Sequence, residues 1–396
     1  MKKKILLYLI CLCNFASAQK PEITKLDKSK ISIKDADSII TKVMRAANVQ
    51  GLDIAILNNS KTSFIKSYGY RNKPANKLLD TATIVYAASF SKAVFSYLTM
   101  KLVQENILDL DKPLYQYLSK SIGYYPYFSV LENDDRWKLI TARMCLNHTT
   151  GLPNVRIFNP ITSELDTTAQ LKIYFPPGSK YAYSGEGFKL LQLVEEEITG
   201  KTLDELSVEK IFKPLGMNRT GYIWHDSFGD DNVAVGHFNN GAIDIKRKRT
   251  VGVAGGSLVT TIADYAKFIE QIIQRKGLKR NLFNEMISPQ VNIYSKTQFP
   301  PITFEITDEN RDIKLAYGLG WGLIECKKYG KAFFKEGNGD SWRNYNINFI
   351  DQGISIIIMT NSENGENIFQ ELIEKLIGET CIPWKWQGYI PYNARH

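Results

Sequence analysis

The chain has 396 residues, 44% hydrophobic and 23% charged, with no low-complexity linker and no internal repeat, so one large domain with two sub-regions is expected. Its net charge of +9 reads as scattered basic residues, which argues against a nucleic-acid-binding stripe. It has no CxxC pair and no HExxH segment, and its four histidines lie far apart, so neither a metal nor another cofactor is expected.

Residues 1–18 open with Lys2, Lys3 and Lys4, continue as a short apolar run and end in Ala16-Ser17-Ala18. This pattern predicts a cleavable export signal and hence a periplasmic or extracellular address. No stretch approaches the roughly 18 uninterrupted apolar residues of a transmembrane helix, so stable membrane insertion is not expected. A lipoprotein site at Cys11 or Cys13 would lack the small preceding residue such sites prefer. Cleavage lowers the charge from +9 to +6 and leaves Cys145, Cys326 and Cys381, which permit one disulfide and require none. Residues 19–35 read as an N-terminal extension, 36–378 as the domain and 379–396 as an aromatic tail, in a protein expected to be a monomer.

In chain order, residues 38–47 predict an amphipathic helix, and the apolar alternation of 52–57 followed by 62–65 predicts a β-hairpin. Residues 83–88 read as a buried strand end that turns into a helix, where Val94, Tyr97, Leu98 and Lys101 keep a helical period. Helical patterns and long loops dominate from 89 to about 275, including a helix over 187–199. Strand signals return at 316–324, 331–335, 344–350 and 354–359, the last two joined by Asp351-Gln352-Gly353. An apolar-striped helix over 366–377 follows. Early strands, a helical middle and late strands predict an α/β fold of the α+β type. In it, an antiparallel sheet built by both ends of the chain is flanked by helices and topped by a mostly helical lobe.

Three segments carry candidate chemistry. In Ser89-Phe90-Ser91-Lys92, a hydroxyl and an amine stand one helical turn apart, so Lys92 can help remove the proton of Ser89 without a histidine. The serine also falls at a helix start, where free N–H groups favour developing negative charge. Pro176 to Gly185 forms a turn presenting Tyr183, whose phenol, beside ammonium groups, can serve as general base and then general acid. Phe333-Phe334-Lys335-Glu336-Gly337-Asn338 ends a strand: Lys335 can hold a substrate carboxylate, Gly337 allows close backbone approach, and the Asn338 N–H can join that of Ser89 as an oxyanion hole. Each segment alone also fits ordinary packing; their order and company carry the reading.

Together the three resemble the serine β-lactamase and penicillin-binding-protein superfamily, in the branch of class C β-lactamases, D-Ala-D-Ala peptidases and related esterases. Further segments fit the same branch: Leu146-Asn147-His148-Thr149-Thr150-Gly151-Leu152-Pro153, Pro214-Leu215-Gly216-Met217, Gly255-Gly256-Ser257, Tyr317-Gly318-Leu319-Gly320-Trp321 and Thr360-Asn361-Ser362. The resemblance runs from about Gly51 to Ile377. It implies a β-lactamase/transpeptidase-like fold with a cleft between sheet and helical lobe. It also implies that Ser89 is the acylated nucleophile, that Lys92 and Tyr183 share proton transfer, and that Lys335 stands for the lysine of the KTG element. Two positions depart from the pattern. Gly185 replaces an asparagine whose amide contacts the acyl side chain, and Glu336 replaces a threonine, placing a carboxylate beside Lys335.

His148 would be the base of a Ser-His-Asp hydrolase, but no GxSxG elbow exists, so a structural histidine bonding backbone in the turn at 149–151 is expected. The aromatic run 123–128 suits either a pocket wall or lobe packing. Trp342 and Arg343 are candidates for the cleft edge, where Arg343 either holds a carboxylate or pairs with a surface acid. The expected partner is a small-molecule or peptide-like acyl compound. The expected function is an exported serine hydrolase acting on amide, β-lactam or ester bonds. A D-Ala-D-Ala carboxypeptidase or esterase without β-lactam turnover is the nearest alternative, and an inactive binding or sensor domain is the alternative of another class. Retention of Ser89, Lys92, Tyr183 and Lys335 together argues against the latter.

Overall fold

The first long helix, α1, spans Ile33–Ala46 and starts ahead of its apolar period, because the Ser32 hydroxyl accepts the Asp35 N–H at 3.1 Å and caps the first turn. It belongs to a computed structural model that describes residues 22–394, so the predicted export signal lies outside the described residues. The other principal helices are α2 (Phe90–Gln104), α3 (Gly185–Thr199), α4 (Ile262–Ile273) and α5 (Phe369–Ile377). Among the described residues, no helix is long and apolar enough to cross a membrane.

Nine strands form one antiparallel sheet: β1 Gly51–Asn58, β2 Lys61–Asn72, β3 Lys77–Leu78, β4 Val291–Asn292, β5 Ala316–Tyr317, β6 Gly322–Cys326, β7 Gly330–Gly339, β8 Trp342–Phe349 and β9 Ile354–Thr360. Their order is β4-β5-β6-β7-β8-β9-β1-β2-β3, so the N-terminal hairpin completes a sheet that the C-terminal strands begin. β1 and β9 pair from Leu52↔Thr360 to Leu57↔Ser355. Both are buried on both faces. Ile54, Ile56, Ile356 and Ile358 pack in the layer that holds α1 and α5, while Ala55, Leu57, Ile357 and Met359 pack under α2 and α4. Period-two alternation therefore buries a different set of side chains in each layer, and a one-residue slip would exchange them.

The predicted strand over 316–324 is interrupted. Gly320 turns between β5 and β6 at φ 85, and a Cβ there would lie 2.0 Å from the Ser96 hydroxyl of α2. The predicted helix over 366–377 begins as a 3₁₀ turn, Gly365–Ile368, before α5. Residues 22–32 add a two-stranded hairpin beside the sheet. At the other end Trp386 is buried, and a Cys326–Cys381 disulfide ties the tail to β6, while Cys145 is a buried free thiol.

The helical layer contains one group with a consequence for stability. Glu195 of α3 is 1% exposed; one oxygen accepts from the Thr99 hydroxyl of α2 at 2.6 Å and the other has no hydrogen-bond partner. Burial raises its pKa to about 8, against the Thr99 hydrogen bond and with help from the charge of Glu196. Between its ordinary value of 4.5 and about 8 the folded protein holds this proton and the unfolded chain releases it. Stability from this group is thus complete at the acid end of that window and is lost as pH rises through it. Glu195→Gln is expected to raise stability near pH 8 by on the order of 2–3 kcal/mol and to add much less near pH 5. Urea unfolding at the two pH values checks this, and an equal gain at both would contradict it.

Candidate active site

Ser89 owes its position to the residue before it. Ala88 has φ 47, a left-handed conformation that costs a non-glycine residue energy, and it turns the chain abruptly from the strand at Val85–Tyr86 into α2. Ser91 holds the turn: its hydroxyl donates to the Ala88 carbonyl at 2.5 Å and accepts the Leu258 N–H at 3.0 Å. Ser89 thereby stands at the mouth of α2, and its N–H has no backbone acceptor among the described residues.

Three side chains converge on it, two of them from distant segments. Lys92, one turn further along α2 and 2% exposed, points its ammonium at the Ser89 hydroxyl at 3.2 Å and donates to the Gly255 carbonyl at 2.6 Å. Tyr183, 3% exposed, lies with its ring centroid 4.9 Å from that ammonium, and its hydroxyl accepts from the Lys335 ammonium at 3.0 Å. Lys335 donates also to the Glu336 carbonyl at 3.1 Å. Burial pushes the Tyr183 pKa up, but the cations of Lys335 and Lys92, with hydrogen bonds from Ser89 and Lys335, outweigh it and hold the phenol below its ordinary value of 10. Burial and the charge of Lys335 lower the Lys92 pKa, against the attraction of Tyr183. The group is therefore built so that few protons are shared among Ser89, Lys92 and Tyr183.

His148 is fully buried, and its Nδ1 accepts the Ser184 N–H at 3.0 Å, so its backbone partner is Ser184 and not the turn at 149–151. Its ring packs 4.3 Å from that of Tyr183. Burial, then the cations of Lys92 and Lys335, drives its pKa well below 6.5. A neutral imidazole that supports Tyr183 is the result. Ser184 in turn caps α3 by accepting the Gly187 N–H at 3.0 Å.

The third segment lies in β7. β6 pairs only with the stretch up to Phe334, so residues 335–339 have β8 on one edge and no paired strand on the other, and Asn338 among them borders the cavity of Ser89. Gly337 permits this, because a Cβ there would lie 2.5 Å from the Ala87 carbonyl. Asn338 and Ser89 then border one cavity of about 400 Å³, together with Lys92, Asn154, Lys189 and Arg249.

Glu336 neither neutralises Lys335 nor faces an incoming substrate. Neighbouring strand residues point to opposite faces, and its carboxylate is held on the far one by the amides of Gln298, at 3.0 Å, and of Gln387 in the tail. At Gly185 a Cβ would lie 2.4 Å from the Asn154 carbonyl and 3.1 Å from its side-chain oxygen. An asparagine there would collide with Asn154, whose own amide already borders the cavity. Arg343 is turned away from Ser89: it pairs with Glu366 at 2.9 Å and donates to the carbonyls of Gly339, Asp340 and Trp342. Trp342 is buried and donates to Asp244 at 3.2 Å, so neither residue borders the cavity of Ser89. The aromatic run 123–128 stays outside it too, although Tyr127 donates to the bordering Glu186 at 2.8 Å.

The expectation of scattered basic residues fails at one place. Lys246-Arg247-Lys248-Arg249 is a run of four adjacent bases, visible in the sequence, and it lies along the rim of the cleft. Asn154 carried no comparable sequence signal, because only the packing of Gly185 gives it meaning.

The beta-lactamase family model matches residues 36–376. D-alanyl-D-alanine-carboxypeptidase/endopeptidase AmpH of Escherichia coli (strain K12) is 22% identical over 395 residues, covering 95% of this chain and 97% of that protein. Protein flp of Staphylococcus aureus (strain NCTC 8325 / PS 47) is 23% identical over 294 residues, 68% of this chain and 56% of its own, so the chain spans little more than half of that relative. Among solved structures, EstCE1, a hydrolase with promiscuous acyltransferase activity, superposes with a TM-score of 0.69 at 17% identity, covering 87% of this chain and 98% of that one. That likeness shows a shared fold. The chain belongs to the beta-lactamase family.

Proposed function

We propose that the protein is an exported acyl-enzyme hydrolase of the D-Ala-D-Ala carboxypeptidase or esterase kind, acting on peptide-like acyl substrates and turning over β-lactams poorly. The observation that carries this reading is the convergence of Lys92, Tyr183 and Lys335 on Ser89 within one chain, which also supports a monomer as the working unit. The Ser89 proton passes to Tyr183 as Oγ attacks the acyl carbonyl. The N–H groups of Ser89 and Asn338 hold the oxyanion. Tyr183 then gives the proton to the departing amine or alcohol, and an acyl ester remains on Ser89. Water, deprotonated through the same group, releases the acid and restores the hydroxyl. Lys335 keeps Tyr183 acidic, and the Asn154 amide stands where an acyl-side carbonyl or N–H can meet it. Export rests on the leader pattern from Lys2 to Ala18.

Steady-state turnover of an activated ester, an acyl-D-Ala-D-Ala peptide and a penicillin tests the assignment. The ester or the peptide is expected to turn over, while the penicillin acylates slowly or is released slowly. Fast penicillin hydrolysis with inert ester and peptide would reverse the assignment in favour of a β-lactamase.

A further inference from the structure

Three cavities of about 400, 430 and 310 Å³ meet at Tyr86, which borders all of them. The first holds Ser89. Arg249 borders the first and second, and Arg247 the second and third, so the basic run forms a continuous wall leading away from the nucleophile. Aromatic rings line the same cavities, with Trp224 bordering the second and third and Trp342 the third. The wall is pinned in place: the Trp224 N–H donates to the Arg249 carbonyl at 2.8 Å, and the Tyr86 hydroxyl to the Gly256 carbonyl at 2.6 Å.

Charge along this wall is distributed unevenly. Lys246 is neutralised by Asp244 at 2.8 Å and Asp340 at 2.9 Å, with its ammonium 5.2 Å from the centroid of the Tyr86 ring. Lys248 pairs with Asp230 and lies 4.7 Å from the Trp224 ring. Arg247 and Arg249 are exposed and belong to no ion pair among the described residues. Inside the first cavity Lys189 is offset by the buried Glu186 at 3.4 Å, while Arg249 is an exposed cation at its border with no acidic partner among the described residues. An exposed guanidinium without a carboxylate, beside an aromatic face, is suited to a planar anion that it can grip with two hydrogen bonds.

We infer that this groove selects acyl substrates bearing a carboxylate several bonds from the scissile carbonyl, held by Arg249 and supported by Arg247, with the intervening chain lying on Tyr86. The substrate class is thus an acidic, peptide-like acyl compound. The inference rests on the reading of Ser89 as the nucleophile of an acyl-enzyme hydrolase.

The test uses two esters of adipic acid that share a para-nitrophenyl leaving group, one with its far carboxylate free and one with it methyl-capped, each corrected for uncatalysed hydrolysis. The wild-type protein is expected to prefer the free acid by roughly tenfold in kcat/KM at low ionic strength, mainly through KM, and less so in salt. Arg249→Gln brings the ratio towards one, Arg249→Lys keeps part of it, and Arg249→Glu inverts it. Arg280→Gln, an exposed change at the start of the helix Arg280–Met286, leaves the ratio as it was and so excludes a general effect of net charge. A wild-type ratio near one, or a preference that survives Arg249→Glu, overturns the inference while turnover of the capped ester upholds the hydrolase. Turnover of neither ester overturns the inference, and the hydrolase reading falls with it only where an acyl-D-Ala-D-Ala peptide is inert as well.

Discussion

Ser89→Ala is expected to abolish acylation and to lower hydrolysis by about 10⁵-fold, leaving only what binding and the oxyanion donors contribute. The size follows from the absence of any substitute. Ser91, two residues away, spends its hydroxyl on the Ala88 carbonyl and the Leu258 N–H, and it is fully buried. Water could enter the space left by Oγ, but Lys92 and Tyr183 are aimed at that oxygen from fixed positions, so a water there would be poorly directed at a carbonyl. Intact-mass measurement with an activated ester and with a penicillin reads the result directly: one acyl adduct on the wild type and none on the variant. An adduct that persists in Ser89→Ala would remove the nucleophile from this serine. Stability should change little, since Ser89 makes no side-chain cap of α2.

Much of this site is legible in the sequence because its decisive relations are local. Ser89 and Lys92 are three apart at the start of a helix, and Lys335 and Gly337 lie two apart at the end of a strand, so secondary structure alone sets their directions. Tyr183 required the additional knowledge that three such segments occur in order. Glu336 shows a relation that strand alternation predicts: Lys335 and Glu336 point to opposite faces, and the second is closed off by Gln298 and Gln387. What no local pattern discloses is the identity of long-range partners. Arg343 fits a substrate carboxylate or a protein one equally well until Glu366 is found 2.9 Å away. Asn154 acquires its place only because Gly185 lets the loop at 154 approach α3. The basic run at 246–249 is plain in the sequence, yet its meaning depends on Asp230, Asp244 and Asp340 neutralising the lysines and not the arginines. In the fold, the strand over 52–57 is read from its apolar alternation and that over 354–359 from its apolar run beside the turn at 351–353, whereas the break at Gly320 depends on the approach of Ser96 from another element.

Tyr183→Phe should lower kcat/KM by about 10²–10⁴-fold and, more tellingly, change the pH profile. The phenol lies below its ordinary value of 10 because Lys335 and Lys92 together outweigh its burial. The phenolate is the form that accepts the Ser89 proton, so activity should rise with pH through this ionisation and level off above it. In Tyr183→Phe the residual activity should lack that limb. Lys335→Ala makes the complementary case: with one cation removed, burial acts against less opposition, the phenol titrates at higher pH, and the limb moves towards alkaline values. Activity lost at neutral pH should then partly return as the pH is raised, which loss of a substrate anchor alone would not produce. Measuring kcat/KM against pH with a neutral ester separates the two roles, since that substrate has no carboxylate for Lys335 to hold. If the limb stays at the same pH in Tyr183→Phe, the titrating group is a different one, with Lys92, 3.2 Å from the Ser89 hydroxyl, then the base.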